Sequence, residues 1–202
     1  MQLSEDLISA IIRPVRLESA FVSLWQINGN WSLAGPRESC PLFHYVSDGK
    51  LTISNGREQP IFLNQGDLAL FPHGSAHHIS TSETEISVPL ERFIPAREKG
   101  QFIKVDVPGT RRPSGLLCAG LYCESHSAAP IYKLLPESIV IRKHQIEAEP
   151  LLQGALEGLL REVEHFQEDK RFVLHRGLEL IYVLGLRLAL DAVQIGDRGT
   201  ST

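Results

Sequence analysis

Residues 66–77, GDLALFPHGSAH, constrain the fold of this chain more than any other segment. The Gly-Asp pair at its start is a turn signal, because glycine accepts a positive φ without steric cost. Leu68 and Leu70 follow with strand alternation and are expected to face the interior of a barrel. Pro72 and Gly74 then shape a second tight turn. Two turns that flank so short an apolar run indicate a body built of short strands.

The surrounding sequence repeats this pattern from residue 16 to residue 79. Short runs rich in β-branched and aromatic residues are separated by turn signals at 28–30, 35–36, 48–49, 55–56 and 65–67. Strands at such spacing predict a β-sandwich or a barrel. Two further strands are expected at 116–122 and 138–142. Residues 81–113, which are polar and proline-containing, are predicted to form a long loop with little regular structure.

Helical periodicity is confined to the two ends of the chain. Ser4 begins a short helix that Pro14 ends. A second helix is expected from about residue 149, and a third over 171–193. The third helix is apolar on most of its circumference, which predicts burial on several sides and favours a homodimer interface. These signals divide the chain into a body with its first helix (1–145), a helical hairpin (146–195) and a frayed tail (196–202).

Composition narrows the classes of function. The formal net charge of −4 does not suit a chain that grips phosphate backbones over a wide face. The first residues do not form a signal peptide, and no apolar run reaches the about 18 residues of a membrane span. We therefore expect a cytoplasmic protein with no membrane partner. Its three cysteines are expected to be free thiols, with a metal or redox role open.

The fixed positions of the 66–77 segment resemble the second cupin motif up to His77, with Thr81 where the motif usually ends in asparagine. The resemblance implies a mainly β fold, a cupin-type barrel (double-stranded β-helix) with a short N-terminal helix and two C-terminal helices. It also implies that His77 points inward, where cupins place a metal ligand. The first cupin motif is degraded. If Gly49 closes it, Leu42 stands at the glutamate position and the paired histidines are missing.

A narrower resemblance rests on FHYV at 43–46, the 66–77 segment, LLCAG at 116–120 and LLPE at 134–137. This order is similar to the cupin-type N-terminal effector domain of AraC-type transcriptional regulators, over residues 4–193. The resemblance implies a sensing and dimerisation domain, which reaches DNA only through a helix-turn-helix module that this sequence does not contain. Both an excised domain and a stand-alone member fit the sequence.

His44, His77 and Cys118 lie at the three motif positions of this subfamily. Two histidines and one cysteine are suitable ligands for a divalent metal, with zinc favoured. The alternative is two core histidines and a small buried thiol. His73 is either a fourth ligand or a turn residue. Together with His73, three apolar residues are expected to line a ligand pocket: Val46, Leu68 and Leu70.

Cys40 and Cys118 are the pair that a redox sensor would use, provided that one thiol has a low pKa. The alternative is that these thiols remain unpaired. Arg97, Lys99, Arg111 and Arg112 make the 81–113 loop locally basic. They fit either a solvated loop or a site that attracts an anion.

Three functions follow from these features. The first is a regulatory domain that binds a small molecule, a metal or an oxidant and dimerises through its C-terminal helices; this reading is not an enzyme. The second is a small metal-dependent cupin enzyme, of the oxygenase or isomerase type. The third is a dimerisation domain with a filled barrel.

Overall fold

The computed structural model describes residues 15–56, 59–81, 87–110, 112–123, 135–166 and 171–198. Within them the chain forms a series of strands followed by helices. The strands are β1 (Leu17–Ile27), β2 (Ser32–Gly35), β3 (Leu42–Asp48), β4 (Lys50–Ser54), β5 (Ile61–Asn64), β6 (Leu68–Phe71), β7 (His77–Ser80), β8 (Ser87–Pro89), β9 (Phe102–Val107), β10 (Ser114–Cys123) and β11 (Ile139–Ile141). A 3₁₀ turn spans Leu90–Arg92, and the helices are α1 (Lys143–Glu147), α2 (Pro150–Glu164) and α3 (Arg171–Arg198).

The strands form two sheets that enclose a barrel. The six-stranded sheet has the order β11-β6-β3-β10-β1-β9, and the five-stranded sheet has the order β5-β4-β7-β2-β8. Two hydrophobic clusters follow from this arrangement. One lies inside the barrel, and the other lies between the outer face of the six-stranded sheet and the helices. The prediction of a mainly β barrel with C-terminal helices is confirmed.

Residue parity decides which cluster a side chain joins, because successive side chains of a strand point to opposite faces. In β1, Phe21 and Trp25 belong to the barrel cluster, whereas Ala20 and Val22 belong to the cluster under the helices. The six-stranded sheet is therefore buried on both faces, and its strands are apolar on both.

The same parity corrects the predicted positions of Leu68 and Leu70. Both belong to the cluster under the helices, and Gly185 of α3 packs beside them. The prediction that they line the barrel was wrong, because β6 pairs with β3 so that Leu70 lies opposite Phe43. Phe43 is also on the helix side, whereas Ala69 and Phe71 face the barrel interior.

Intrachain packing accounts for most of the apolar circumference of α3. Leu178, Ile181, Tyr182 and Leu186 are each at most 1% exposed, and the helix contacts α2, β1, β10 and β11. The breadth of the apolar surface, which favoured a dimer in the sequence, is thus explained inside one chain. Phe172 and Val173 remain exposed near the start of α3.

The segment 81–113 has more regular structure than predicted. β8 and the 3₁₀ turn lie within it, and β9 joins the six-stranded sheet in parallel with β1. Helix α3 continues through residues 196–198, where a frayed tail was expected. The predicted N-terminal helix lies outside the described residues.

The turn chemistry of the 66–77 segment has a structural cause. Gly66 adopts a φ of 92° and Gly74 a φ of 60°, which other residues rarely reach. The buried carboxylate of Asp67 accepts hydrogen bonds from the Asn64 and Lys143 amides at 3.0 and 2.9 Å, and from Arg142 Nη1 at 2.9 Å. This carboxylate fixes the β5–β6 turn to the start of α1.

Candidate functional site

A row of side chains crosses the inner face of the six-stranded sheet. Ser23 on β1 lies opposite Cys118 on β10, Cys118 lies opposite His44 on β3, and His44 lies opposite Ala69 on β6. His77 begins β7 in the other sheet and meets His44 across the barrel. Strand register thus brings the three predicted motif residues together.

These side chains form one continuous hydrogen-bonded chain. His77 Nδ1 lies 2.7 Å from the carbonyl oxygen of Ser75, and His77 Nε2 lies 2.8 Å from His44 Nε2. His44 Nδ1 lies 2.9 Å from Cys118 Sγ. At the far end, Trp25 Nε1 donates to Ser23 Oγ at 2.8 Å, and the Ser23 side chain bonds to Cys118.

The carbonyl at one end fixes the direction of every hydrogen bond, because a carbonyl oxygen can only accept. His77 Nδ1 therefore donates, and Nε2 of the neutral ring is bare. His44 Nε2 must then donate to His77, which leaves His44 Nδ1 bare to accept the Cys118 thiol proton. Ser23 in turn donates to the sulfur while it accepts from Trp25. The network is satisfied with every group uncharged.

Burial maintains this uncharged state. Desolvation lowers the pKa of His44 well below its ordinary value, and the neighbouring His77 lowers it further. Burial also lowers the pKa of His77 to about 4, against the smaller opposing effect of its hydrogen bond to Ser75. Desolvation raises the pKa of Cys118, so that the thiol form dominates at neutral pH.

The row borders a cavity, here called the barrel cavity. Its wall combines apolar side chains with polar or titratable ones from Ser23, Glu38, Cys40, His44, His77, Arg97, Cys118 and Tyr122. The empty space, including the opening to solvent, is about 560 Å³, but the centres of water-sized molecules can occupy only about 40 Å³. The interior therefore admits a very small ligand unless side chains move.

An ion pair lies beside this cavity. Arg97 Nη1 is 2.6 Å from Glu38 Oε1, and both side chains are about one-fifth exposed. Tyr122 and Cys40 lie close by and share a side-chain hydrogen bond. Arg97 therefore is not a fully solvated loop residue. The pair places one positive and one negative charge beside a largely apolar cavity.

The other predicted pocket residues do not line this cavity. Val46 faces the barrel interior but is enclosed in its apolar cluster. His73 lies in the turn after β6, where its Nε2 is 2.8 Å from the carbonyl oxygen of Leu135. Turn formation therefore explains His73, and strand parity explains Leu68 and Leu70. The structure thus contradicts the barrel-facing prediction for Leu68 and Leu70 alone, while Val46 faces the interior without lining the cavity.

The three predicted metal ligands meet but do not converge. His44 presents Nε2 to His77 and Nδ1 to Cys118, which lie on different sides of the imidazole. Among the described residues, no group of three His, Cys, Asp or Glu side chains is arranged to hold a metal ion. A zinc ion held by all three would require the His44 ring or the Cys118 side chain to turn. As placed, the residues do not fit a three-ligand site, and the metal stays a prediction.

Cys40 and Cys118, the predicted redox pair, line the same cavity, but burial keeps both side chains in the protonated thiol form at neutral pH. Burial and the nearby carboxylate of Glu38 raise the pKa of Cys40 to about 11. Cys40 and Cys118 are both free in this structure. A thiol with a raised pKa is a poor nucleophile at neutral pH, so this arrangement does not favour oxidation.

Sequence reasoning missed three residues of the site: Ser23, Glu38 and Tyr122. Ser23 and Tyr122 lie on strands whose parity is visible only once the register is known. Glu38 is far in sequence from Arg97, which it meets beside the barrel cavity. Arg97 was named as one of the basic residues of the 81–113 segment, but nothing in the sequence distinguished it from the other three.

Comparisons with known structures give distant likenesses. The protein YhaK from Escherichia coli is 6% identical with a TM-score of 0.35, over 61% of this chain and 40% of that one. Apo ToxT K231A from Vibrio cholerae is 8% identical with a TM-score of 0.44, over 82% of this chain and 53% of that one. The chain thus spans about half or less of each. A search of curated proteins finds no match.

Two further findings concern the chain as a whole. Within the described ranges, no helix has the length and apolarity needed to cross a membrane. A family model described as "Cupin" matches residues 6–191, which is most of the sequence. Through that match, and in agreement with the barrel described above, the chain belongs to the cupin family Cupin_6.

Proposed function

We propose that this chain is the effector-binding and dimerisation domain of an AraC-type transcriptional regulator. The matching family is a cupin domain found in such regulators. The observation that carries the proposal is the position of the six-stranded sheet. Its inner face holds the Ser23–Cys118–His44 row, and its outer face packs against α3.

This arrangement provides a route from ligand to helix. A molecule that enters the barrel cavity must displace side chains, because little room is available. Displacement of β1 or β10 changes the surface on which α3 rests, since both strands contact that helix. A ligand that binds the two packings with different affinities shifts the population between them. A DNA-binding module that follows α3 would respond to that shift.

Of the three effector classes, a small molecule is favoured over a metal or an oxidant, because the donor atoms of His44, His77 and Cys118 do not converge and the Cys40 thiol stays protonated. Among small effectors, Arg97 favours an anionic or carbonyl-bearing molecule, because its guanidinium can bind a ligand oxygen in exchange for part of its contact with Glu38. The domain acts as a homodimer through its C-terminal helices, and the exposed Phe172 and Val173 are available for that contact. DNA is contacted only through a helix-turn-helix module.

The test joins this chain to the DNA-binding module of an AraC-type regulator and measures transcription from a reporter. We expect small carboxylates and aldehydes, screened singly, to change the output of the wild-type fusion. The response should disappear in Arg97→Gln and persist in Arg112→Gln, whose side chain is exposed. Sedimentation equilibrium of the unfused chain should show a dimer. A monomer whose fusion responds to no compound would overturn the proposal.

The alternative is a small metal-dependent cupin enzyme. The observation that favours it is the pair of imidazole nitrogens that face one another at 2.8 Å, with His77 oriented by the Ser75 carbonyl. Turnover of a small substrate by the metal-loaded protein, lost in His77→Ala and kept in His165→Ala, would decide for the enzyme.

A further inference from the structure

A second cavity, here called the side cavity, lies outside the barrel. It is bordered by the start of β1, the residues that lead into β9, Phe166 and the first turns of α3. The centres of water-sized molecules can occupy about 250 Å³ of it, against about 40 Å³ in the barrel cavity. The roomier of the two spaces is therefore the one between the sheet and the terminal helix.

The wall of the side cavity is apolar over much of its area. Phe102 and Phe166 contact each other with ring centroids 4.6 Å apart. Phe172, on the first turn of α3, also lines the cavity and is 81% exposed. An aromatic ring bound here would cover exposed apolar surface, which is favourable in water.

Charged groups border this apolar surface, with a positive excess among the described lining residues. Among the lining residues that the structure describes, Lys99 and Arg171 are cationic and Glu18 is the one carboxylate. Glu18 and Lys99 are 4.0 Å apart and about half exposed, so solvent screens their attraction strongly. The Arg171 guanidinium lies against Gly100, on the strand side of the cavity.

The lining residue His175 adds an unsatisfied polar atom. One of its ring nitrogens bonds to the backbone of Glu18, and Nε2 is shielded from solvent without a hydrogen-bond partner among the described residues. A buried polar atom without a partner costs free energy. A ligand that offers a hydrogen bond after a small shift of the ring would remove that cost.

We propose that the side cavity is a binding site for an organic anion with an aromatic body, such as an aromatic carboxylate. Lys99 and Arg171 attract the carboxylate, and the phenylalanine rings cover the aromatic body. Because α3 forms one wall, the ligand would also stabilise the packing of that helix on β1. The inference does not depend on the barrel cavity, and it shares only Phe172 with the dimer contact proposed above.

Isothermal titration calorimetry with naphthoate tests the proposal, with naphthylmethanol as the uncharged match and inorganic phosphate as the anion without an aromatic body. We expect saturable binding of naphthoate at concentrations of up to about 5 mM, and binding of the alcohol at least fivefold weaker. Phosphate should not bind measurably.

Variants at the exposed Arg171, Phe172 and Arg176 are expected to keep the fold intact, and the buried His44→Ala variant is compared only after circular dichroism shows that it is folded. Arg171→Gln should weaken naphthoate binding at least fivefold, whereas Arg176→Gln, a matched change on the same helix outside the cavity, should alter it less than twofold. Phe172→Ala should weaken both naphthoate and the alcohol. His44→Ala, inside the barrel, should leave the affinity unchanged.

Three results would overturn the proposal. The first is that naphthoate does not bind to the folded protein, and the second is that the acid and the alcohol bind with equal affinity. The third is that His44→Ala abolishes naphthoate binding while Arg171→Gln leaves it unchanged. The last result would assign the ligand to the barrel cavity instead. A failure of the reporter experiment would leave this inference untouched, because calorimetry measures binding alone.

Discussion

His44 Nε2 lies 2.8 Å from His77 Nε2, and both rings are buried. One proton lies between these facing nitrogens, and the other nitrogen of each ring is bound by Cys118 or Ser75. A second proton would charge one ring and leave two donors facing each other in a poorly solvated place. The pair is therefore stable only while both rings are neutral.

Acid should destabilise the protein through this pair. The pKa of His77 is about 4 in the folded chain and about 6.5 when unfolded, so the unfolded state binds more protons between those values. The contribution of neutral His77 to stability is therefore fully present above the pKa of the unfolded chain, and it is lost as the pH falls from there towards 4. Between pH 7 and pH 5, His77 alone accounts for about 2 kcal/mol of the free energy of unfolding.

Urea unfolding at the two pH values measures this loss. It should be smaller in His77→Gln and unchanged in His165→Gln, whose ring is exposed. An equal loss in wild type and His77→Gln would show that other groups cause the acid sensitivity.

Substitution by alanine should change the stability of the protein in opposite directions at Gly74 and at Gly154. A Cβ at Gly74 would collide with the carbonyl oxygens of Glu38 and Cys40, and its φ of 60° disfavours alanine as well. We expect Gly74→Ala to cost about 3 kcal/mol of stability. Gly154 lies in α2 with nothing within 4 Å of an added Cβ, so Gly154→Ala should gain about 0.5–1 kcal/mol. Thermal unfolding of both variants provides the comparison, and two changes of the same sign would contradict it.

Asp67 should contribute more to the free energy of unfolding than an ordinary exposed acidic residue does. Its buried carboxylate accepts bonds from two backbone amides and from Arg142. Asp67→Ala leaves those amides without partners and is expected to cost about 3 kcal/mol. Arg142→Gln should cost about 1 kcal/mol, because Arg142 is 42% exposed. Chemical denaturation checks both values against Asp106→Ala, an exposed acid on β9 that should change stability by less than about 0.5 kcal/mol.

The thiols should be slow to react in the folded protein. The pKa of Cys40 is raised to about 11 and that of Cys123 to about 12, in each case chiefly by burial. At pH 8, a thiol with a pKa near 11 is about 0.1% thiolate, so alkylation should be about a hundredfold slower than in denaturant. Mass spectrometry after timed alkylation, repeated on Cys40→Ser and Cys118→Ser, assigns each rate. Rapid labelling of Cys118, or a Cys40–Cys118 disulfide after mild oxidation, would restore the redox hypothesis.

Zinc should bind well below one ion per chain. The donor atoms of His44, His77 and Cys118 do not converge on one point in this arrangement. Elemental analysis of protein purified without a tag or chelator measures the content directly. One zinc per chain, lost in His44→Ala and retained in His144→Ala, would show instead that the side chains rearrange around the metal.

Sequence patterns sufficed to predict the barrel and the C-terminal helices, and the family resemblance singled out the three motif residues that meet. Turn chemistry at Gly66 and Gly74 required glycine, and helical periodicity after residue 149 was unambiguous. His44, His77 and Cys118 were identified by their motif positions, and strand register brings them together as the resemblance implied.

The sequence did not predict which side chains of each strand point into the barrel. In LALF at 68–71, every residue is apolar and buried, so alternation gives no sign of which side faces the barrel. Only the pairing with β3 decides it. The contact between Glu38 and Arg97 was equally hidden, because it depends on how the segment before β9 closes over the barrel.

The neighbours of β1 have a consequence for the timing of synthesis. β1 lies between β9 and β10, and it pairs with nothing nearer in the chain than Phe102. A ribosome that adds about 5–20 residues per second needs roughly 4–15 s to extend from the end of β1 to the start of β9. During that time Phe21, Val22 and Trp25 have no sheet partner. The nascent chain therefore exposes the apolar side chains of its longest described strand for seconds before the barrel can close, which is the interval in which a chaperone would bind it.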